Sequence, residues 1–167
     1  AADLDALERA QDDALAGYRR EAKLLSQARK RAAPLLAKAV TQAMQQLGMA
    51  GGRLEVALIA CDAPQAWGME SAEFLVAGHA GSTPRALAKV ASGGELSRIA
   101  LAIAATTASR SAAAGDAAGT LIFDEIDAGV GGAVAEAVGK LMRQLGRERQ
   151  VLAVTHLAQV AASADEH

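Results

Sequence analysis

Aromatic side chains are nearly missing from this chain, with 2 Phe, 1 Trp and 1 Tyr among 167 residues, while Ala occurs 43 times and Leu 19 times. A core with so few large flat side chains suits close helix packing better than a β-sandwich. The single Cys excludes an internal disulfide and a Cys-based zinc site. No run of 18 apolar residues occurs, so no membrane span and no membrane partner is expected. The first residues lack the basic, apolar, small-residue order of a signal peptide, and Ala1 standing in place of Met reads as a fragment or a processed chain. The expectation is a cytoplasmic protein. Basic charge is not in excess either: the net charge is −2, so composition alone does not announce a nucleic-acid binder. What is present in quantity is apolar residue, 51% of the chain, enough for one domain or one domain with an appendage.

Residues 1–47 read as a helical arm, since glycine is absent between Gly17 and Gly48 and helix formers dominate. A heptad frame from Leu4 puts Leu4, Gln11, Tyr18, Leu25, Ala32 and Ala39 at a, and Leu7, Ala14, Glu21, Ala28, Leu35 and Gln42 at d. This is a thin seam, fit for half of an antiparallel coiled coil or for an amphipathic helix packed on its own domain. Pro34 lacks an N–H and predicts a break near Ala33, giving helices over 3–31 and 34–47. Between Arg19 and Lys38 lie seven basic residues (Arg19, Arg20, Lys23, Arg29, Lys30, Arg31, Lys38) and one acid, Glu21. They form either a solvated face or a stripe that meets phosphates.

Residues 48–167 read as an α/β unit. Leu54–Ala60 and Glu73–Ala77 are strand-like, Cys61–Gly68 and Gly78–Pro84 loop-like, and 93–110 helical. A small-residue turn at Gly115–Gly119 leads to the apolar strand Thr120–Phe123. A helix over Ala133–Leu145 and a second apolar strand over 150–154 follow. Strand, helix, strand with buried strands is a βαβ unit, so the two strands should run parallel. Ligand chemistry in such sheets gathers at the carboxyl ends of the strands.

Three clusters fall at the right places. Ser92-Gly93-Gly94-Glu95 opens the 93–110 helix, where unpaired N–H groups and the positive end of the helix dipole suit an anion, a phosphate first of all. Read plainly, the same four residues are an N-cap. Asp124 and Glu125 end the first apolar strand; an aspartate there can hold Mg²⁺, and a neighbouring glutamate can orient or deprotonate water. The alternative is an Asp-Glu turn. His156 ends the second strand and can donate a hydrogen bond to a phosphate or to an attacking water. His79 and His167 have no nameable partners.

In this order the clusters resemble the ABC-type ATPases. Ala91-Ser92-Gly93-Gly94-Glu95-Leu96-Ser97-Arg98 is similar to their signature motif, Leu121-Ile122-Phe123-Asp124-Glu125 to the Walker B strand, Ile126-Asp127-Ala128-Gly129-Val130 to the D-loop, and Val154-Thr155-His156 to the switch histidine. Within that class the stretches Lys89–Arg98, Phe123–Val130 and Val154–Ala161 most resemble the RecN family, SMC-like bacterial ATPases of DNA double-strand-break repair. The resemblance implies an α/β C-terminal lobe of an SMC-type P-loop ATPase head, with a parallel βαβ core behind a coiled-coil arm. It implies ATP and Mg²⁺ as ligands. Ser92, Gly93, Gly94 and Glu95 would bind nucleotide held by the opposite protomer, and Asp127 would communicate across the dimer. Asp124 would support the metal, while Glu125 and His156 would act on the water and the γ-phosphate. The implied partners are the N-terminal Walker A lobe of the same protein, a second copy joined through ATP-bound heads, and double-stranded DNA in the nucleoid.

Two departures from the family pattern stand out. Thr120 occupies the first of four usually apolar Walker B positions, and the phosphate-loop pattern Gly-x-x-x-x-Gly-Lys-Ser/Thr is missing. The one Gly-Lys pair, Gly139-Lys140, is followed by Leu141 and has Val134 where the first glycine belongs. No lysine is therefore placed to cradle the β- and γ-phosphates, and the chain alone is expected to be essentially inactive. Two other classes compete with this reading. One is an ATP-independent interaction module working through the arm. The other is a metal-dependent hydrolase built on Asp124, Glu125, Asp127 and His156, which leaves the Ser-Gly-Gly start unexplained.

Overall fold

The computed structural model describes residues 2–90, 92–114 and 119–167, so Ala91 and most of the turn expected at 115–119 lie outside the described residues. The chain opens with helix α1, Ala2–Gln46, followed by strands β1, Arg53–Gln65, and β2, Gly68–Ala77. A two-residue strand β3, Arg85–Ala86, and a 3-10 turn at Leu87–Lys89 lead to α2, Gly93–Ala114. The remainder runs β4, Thr120–Phe123; α3, Gly132–Gly146; β5, Gln150–Ala153; and α4, Ala158–Ala161.

Helix α1 is continuous, and the break expected at Pro34 does not occur. Pro34 is exposed, and its missing N–H deprives only the carbonyl four residues back. The β1–β2 hairpin lies along the arm and grips it on both sides of the proline. Before it, the Tyr18 hydroxyl accepts the Gln65 N–H at 3.0 Å. The Ser26 hydroxyl donates to Glu70 Oε1 at 2.7 Å, and Arg29 donates to the Glu70 carbonyl at 2.9 Å. After it, Thr41 Oγ1 accepts the Leu54 N–H at 3.0 Å, while Gln45 donates to the Gly52 carbonyl at 2.6 Å and accepts the Gly51 N–H at 2.8 Å. These contacts fix the helical axis through the weak point. The face turned inward carries Ala22, Val40, Met44 and Leu47, which is not the heptad seam. Leu4, Leu7, Leu25 and Leu35 of that seam stay exposed.

The loop expected at Cys61–Gly68 is also corrected. Strand β1 continues to Gln65, β2 begins at Gly68, and only Ala66 and Trp67 turn. The register slips between Ala60 and Gln65, where Pro64 sits. An edge strand tolerates a proline there because its N–H has no ladder partner to lose. The antiparallel order is β1-β2-β3.

Strands β4 and β5 pair in parallel with Thr120 opposite Gln150 and Phe123 opposite Ala153, joined by α3 as the βαβ reading requires. One core serves the described residues: Val40, Met44 and Leu47 from the arm meet Leu54, Val76, Ile99, Phe123, Val138 and Leu145. Only one face of the parallel pair joins it. Ile122 is 71% exposed and its register partner Leu152 47%, with Val154 at 65% beyond them, so the opposite face is bare.

Because Pro34 is exposed inside a helix held from both sides, Pro34→Ala should raise the unfolding free energy by roughly 1–3 kcal/mol in urea denaturation. A lower value would contradict the continuous helix.

Candidate functional site

Helix α2 begins at Gly93, directly after Ser92. The Ser92 hydroxyl accepts the Glu95 N–H at 3.3 Å and the Ser92 carbonyl accepts the Leu96 N–H at 2.9 Å, the pattern of an N-cap. The plain reading of Ser-Gly-Gly-Glu is therefore realised. It leaves the other first-turn N–H groups without intrahelical partners, as at any helix start.

The two glycines have a second, local reason. A Cβ on Gly94 would lie 2.9 Å from the Ala128 Cβ, 3.1 Å from the Ala128 carbonyl oxygen and 3.2 Å from that of Glu125. A Cβ on Gly93 would overlap the Glu125 carboxylate. At Gly94 the first turn of α2 is thus pressed onto the 125–128 loop more closely than a side chain permits, while at Gly93 the neighbour is the movable end of an exposed side chain. Glu125 itself has φ +54°, a left-handed conformation that non-glycine residues rarely adopt and that collects at functional sites.

Asp124 follows the last residue of β4, and the Val154 N–H donates to the Phe123 carbonyl at 3.0 Å, so the ends of β4 and β5 stay side by side. The Asp124 carboxylate is exposed, and its Oδ1 accepts the Glu125 N–H at 2.9 Å. Among the described residues no group of three or more His, Cys, Asp or Glu could hold a metal by itself. Asp124 offers one exposed carboxylate, and a hard ion such as Mg²⁺ is commonly bound through one or two carboxylates with substrate phosphates and water supplying the rest.

Asp127 is nearly fully buried, at 2% exposure. Its Oδ2 accepts the Thr155 hydroxyl, the His156 N–H at 3.0 Å and the Leu157 N–H at 3.2 Å, and lies 3.3 Å from His156 Nδ1. Burial pushes its pKa up, but the Thr155 hydroxyl and the two main-chain donors outweigh that and hold it below the ordinary aspartate value. The His156 ring is 71% exposed, hung on the strand end with one nitrogen facing Asp127.

Ser92, Gly93, Gly94, Asp124, Glu125, Asp127 and His156 are therefore linked through one set of loops. Glu95 points elsewhere, with its carboxylate beside Gly78. Sequence reasoning gave no separate role to Ser97, Arg98 or Thr155. Ser97 donates to the Asp124 carbonyl at 2.6 Å, and Arg98 Nη1 to the carbonyls of Ile126 at 3.5 Å and Ala128 at 3.0 Å. The signal available was their place within the two motifs. Ser97 and Arg98 lie about one turn past the glycines, on a helix that must pack beside the strand end.

The depressed Asp127 pKa carries a sign. Its contribution to stability is complete at neutral pH and is lost as pH falls from the ordinary aspartate value, about 4, through the lower folded value. Asp127→Asn should lower stability at pH 7 by about 1–3 kcal/mol. The difference from the parent should shrink below pH 4, as read by denaturant titration. An equal loss at every pH would contradict the hydrogen-bonded carboxylate.

No protein-family model matches the chain. Over 158 residues, 93% of this chain, it is 46% identical to the DNA repair protein RecN of Xylella fastidiosa strain Temecula1, of which it covers 27%. Over 171 residues, 99% of this chain, it is 39% identical to the DNA repair protein RecN of Treponema pallidum strain Nichols, covering 29%. The chain thus spans between a quarter and a third of the length of these curated relatives. In fold it is similar to the Smc head domain with an extended coiled coil, bound to the C-terminal domain of ScpA, derived from Pyrococcus furiosus. The TM-score is 0.64 at 21% identity, over 98% of this chain and 38% of that one. This degree of identity over nearly the whole of the chain assigns it, over its own length, to the RecN family, with the fold of an Smc head domain.

Proposed function

We propose that residues 48–167 form the C-terminal lobe of an ATPase head and that residues 1–47 are the returning end of its coiled-coil arm, in a protein acting on DNA double-strand breaks. The observation that carries this reading is the meeting of Asp124, Glu125 and His156 at neighbouring parallel strand ends, braced against the start of α2. The names of the RecN relatives support the repair role, which would set the protein to work in the cytoplasm at the nucleoid.

On this reading ATP lies between two heads, and the chain supplies one side. Ser92, Gly93 and Gly94 offer a helix start to the γ-phosphate of nucleotide held by the facing copy. Bound Mg²⁺ would neutralise phosphate charge beside Asp124. Glu125 orients the attacking water and takes its proton, and His156 donates to the γ-phosphate from the second strand end. The work is positioning and charge stabilisation rather than covalent catalysis. Phosphate release then removes the anion that holds the two heads together.

The bare sheet face of Ile122, Leu152 and Val154 suits the N-terminal Walker A lobe as its cover, since parallel sheets are buried on both faces. The exposed Leu4, Leu7, Leu25 and Leu35 suit the outgoing strand of the coiled coil. Double-stranded DNA would meet the basic stripe of the arm. Within that stripe Arg29 is half-buried on the Glu70 carbonyl and Lys30 lies 3.7 Å from Glu70, so Arg19, Arg20, Lys23, Arg31 and Lys38 are the exposed phosphate candidates without such a partner.

In the full-length protein Glu125→Gln should reduce ATP turnover at least a hundredfold while preserving or strengthening ATP-dependent head association, measured by phosphate release and by sedimentation. This chain by itself should show negligible Mg-ATP turnover. Robust hydrolysis by the isolated chain would refute the half-site. Head association indifferent to ATP would favour the arm as a nucleotide-independent interaction module. Charge reversal at Arg20, Arg31 and Lys38 should weaken DNA binding and flatten its salt dependence; unchanged binding removes the stripe from the interface.

A further inference from the structure

The side chain of Arg98 is buried, at 7% exposure, yet it makes no ion pair among the described residues. Taking a guanidinium out of water is expensive unless its donors are satisfied. Arg98 Nη1 serves two main-chain carbonyls, those of Ile126 and Ala128, while its buried Nε has no partner. Burial lowers its pKa, the neighbouring Glu95 partly opposing the shift. A long apolar side chain would fill the same space without the desolvation, so the charge is kept for where it points. It points at the two carbonyls flanking Asp127.

From the preceding position, Ser97 holds the Asp124 carbonyl. One turn earlier, Gly93 and Gly94 lie against Glu125 and Ala128. Four residues of α2 therefore fix the chain from Asp124 to Ala128, on both sides of Glu125 in its left-handed conformation. From that loop Asp127 reaches across to Thr155, His156 and Leu157.

We propose that Arg98 is a positioning residue which, through the Ile126 and Ala128 carbonyls and the Asp127 carboxylate, holds Glu125 and His156 in one fixed relation to the start of α2. The proposal rests on the ATPase reading for its consequence in turnover but not for the linkage itself. Movement of the α2 start by an arriving phosphate would be passed to the water-orienting glutamate and to the histidine as one displacement. Both carbonyls are met by Nη1, whose two N–H groups lie in the fixed plane of the guanidinium and hold a set direction that a freely rotating ammonium does not.

The test uses the full-length protein and two readouts. Without nucleotide, hydrogen–deuterium exchange of the peptide spanning Thr155–Leu157 should accelerate at least tenfold in Arg98→Met, although residue 98 touches none of those amides. Exchange across the β1–β2 hairpin should not change. With Mg-ATP, kcat should fall ten- to a hundredfold while KM stays within about threefold. Arg98→Lys, which keeps the charge and an N–H donor group should Arg98→Met fail to fold, should fall between parent and Arg98→Met. Unchanged exchange at Thr155–Leu157 overturns the linkage whatever hydrolysis does, and so does faster exchange spread evenly over the whole lobe. Parent protein that shows the exchange difference but never hydrolyses ATP overturns the ATPase reading and leaves the linkage standing.

Discussion

One buried carboxylate organises the chemistry-bearing end of this molecule. Asp127 receives the Thr155 hydroxyl and two consecutive main-chain N–H groups from a segment some thirty residues away. Those amides stand at a strand end, where the β4–β5 ladder has run out and the backbone needs other partners. A neutral amide oxygen has two lone pairs for the three donors and no charge to strengthen them. A carboxylate satisfies all, and its burial is tolerable only because they are there. Remove that charge, and the segment after β5 is left to the Val154–Phe123 main-chain bond alone, with His156 on the loosened side of it.

The arm shows the same dependence of local structure on what lies beside it. Read from propensity, Pro34 ends a helix. In place, five side chains of α1 are engaged by the hairpin on both sides of it, and one lost intrahelical bond on the water-facing side is outweighed. The hairpin gains as much from the arrangement. An isolated two-stranded ribbon is marginal in water, and the arm is the surface that makes this one stable. Neither contact is readable from a window of sequence, because Tyr18 and Gln65 are 47 residues apart.

The legible parts were those governed by local periodicity or by a motif. The apolar runs at 120–123 and 150–153 were strands, and the helix between them forced a parallel pairing. Ser92, Asp124, Glu125 and His156 could be named because strand ends and helix starts are where such chemistry collects. Illegible were the features set by close packing. The hairpin running through Pro64, the side of α1 that is buried, and the second duty of the glycines all depend on distances between segments. In the sequence Gly93 and Gly94 read either as an anion site or as part of a plain helix start. At Gly94 the contacts with the Ala128 Cβ and the Ala128 and Glu125 carbonyls require the absence of a side chain even with no ligand bound.

That second duty bears on why half of a sheet can hold a precise site. The face of β4 and β5 turned away from the core is bare at Ile122, Leu152 and Val154, so nothing on that side steadies the strand ends. The bracing comes entirely from the other side. Gly94 admits the loop, Ser97 and Arg98 hold its carbonyls, and Asp127 carries the restraint to the next strand. A lobe built in this way keeps its catalytic candidates in register before any covering element arrives. On the ATPase reading proposed above, a covering element would need to add only a lysine for the β- and γ-phosphates to a geometry that already exists.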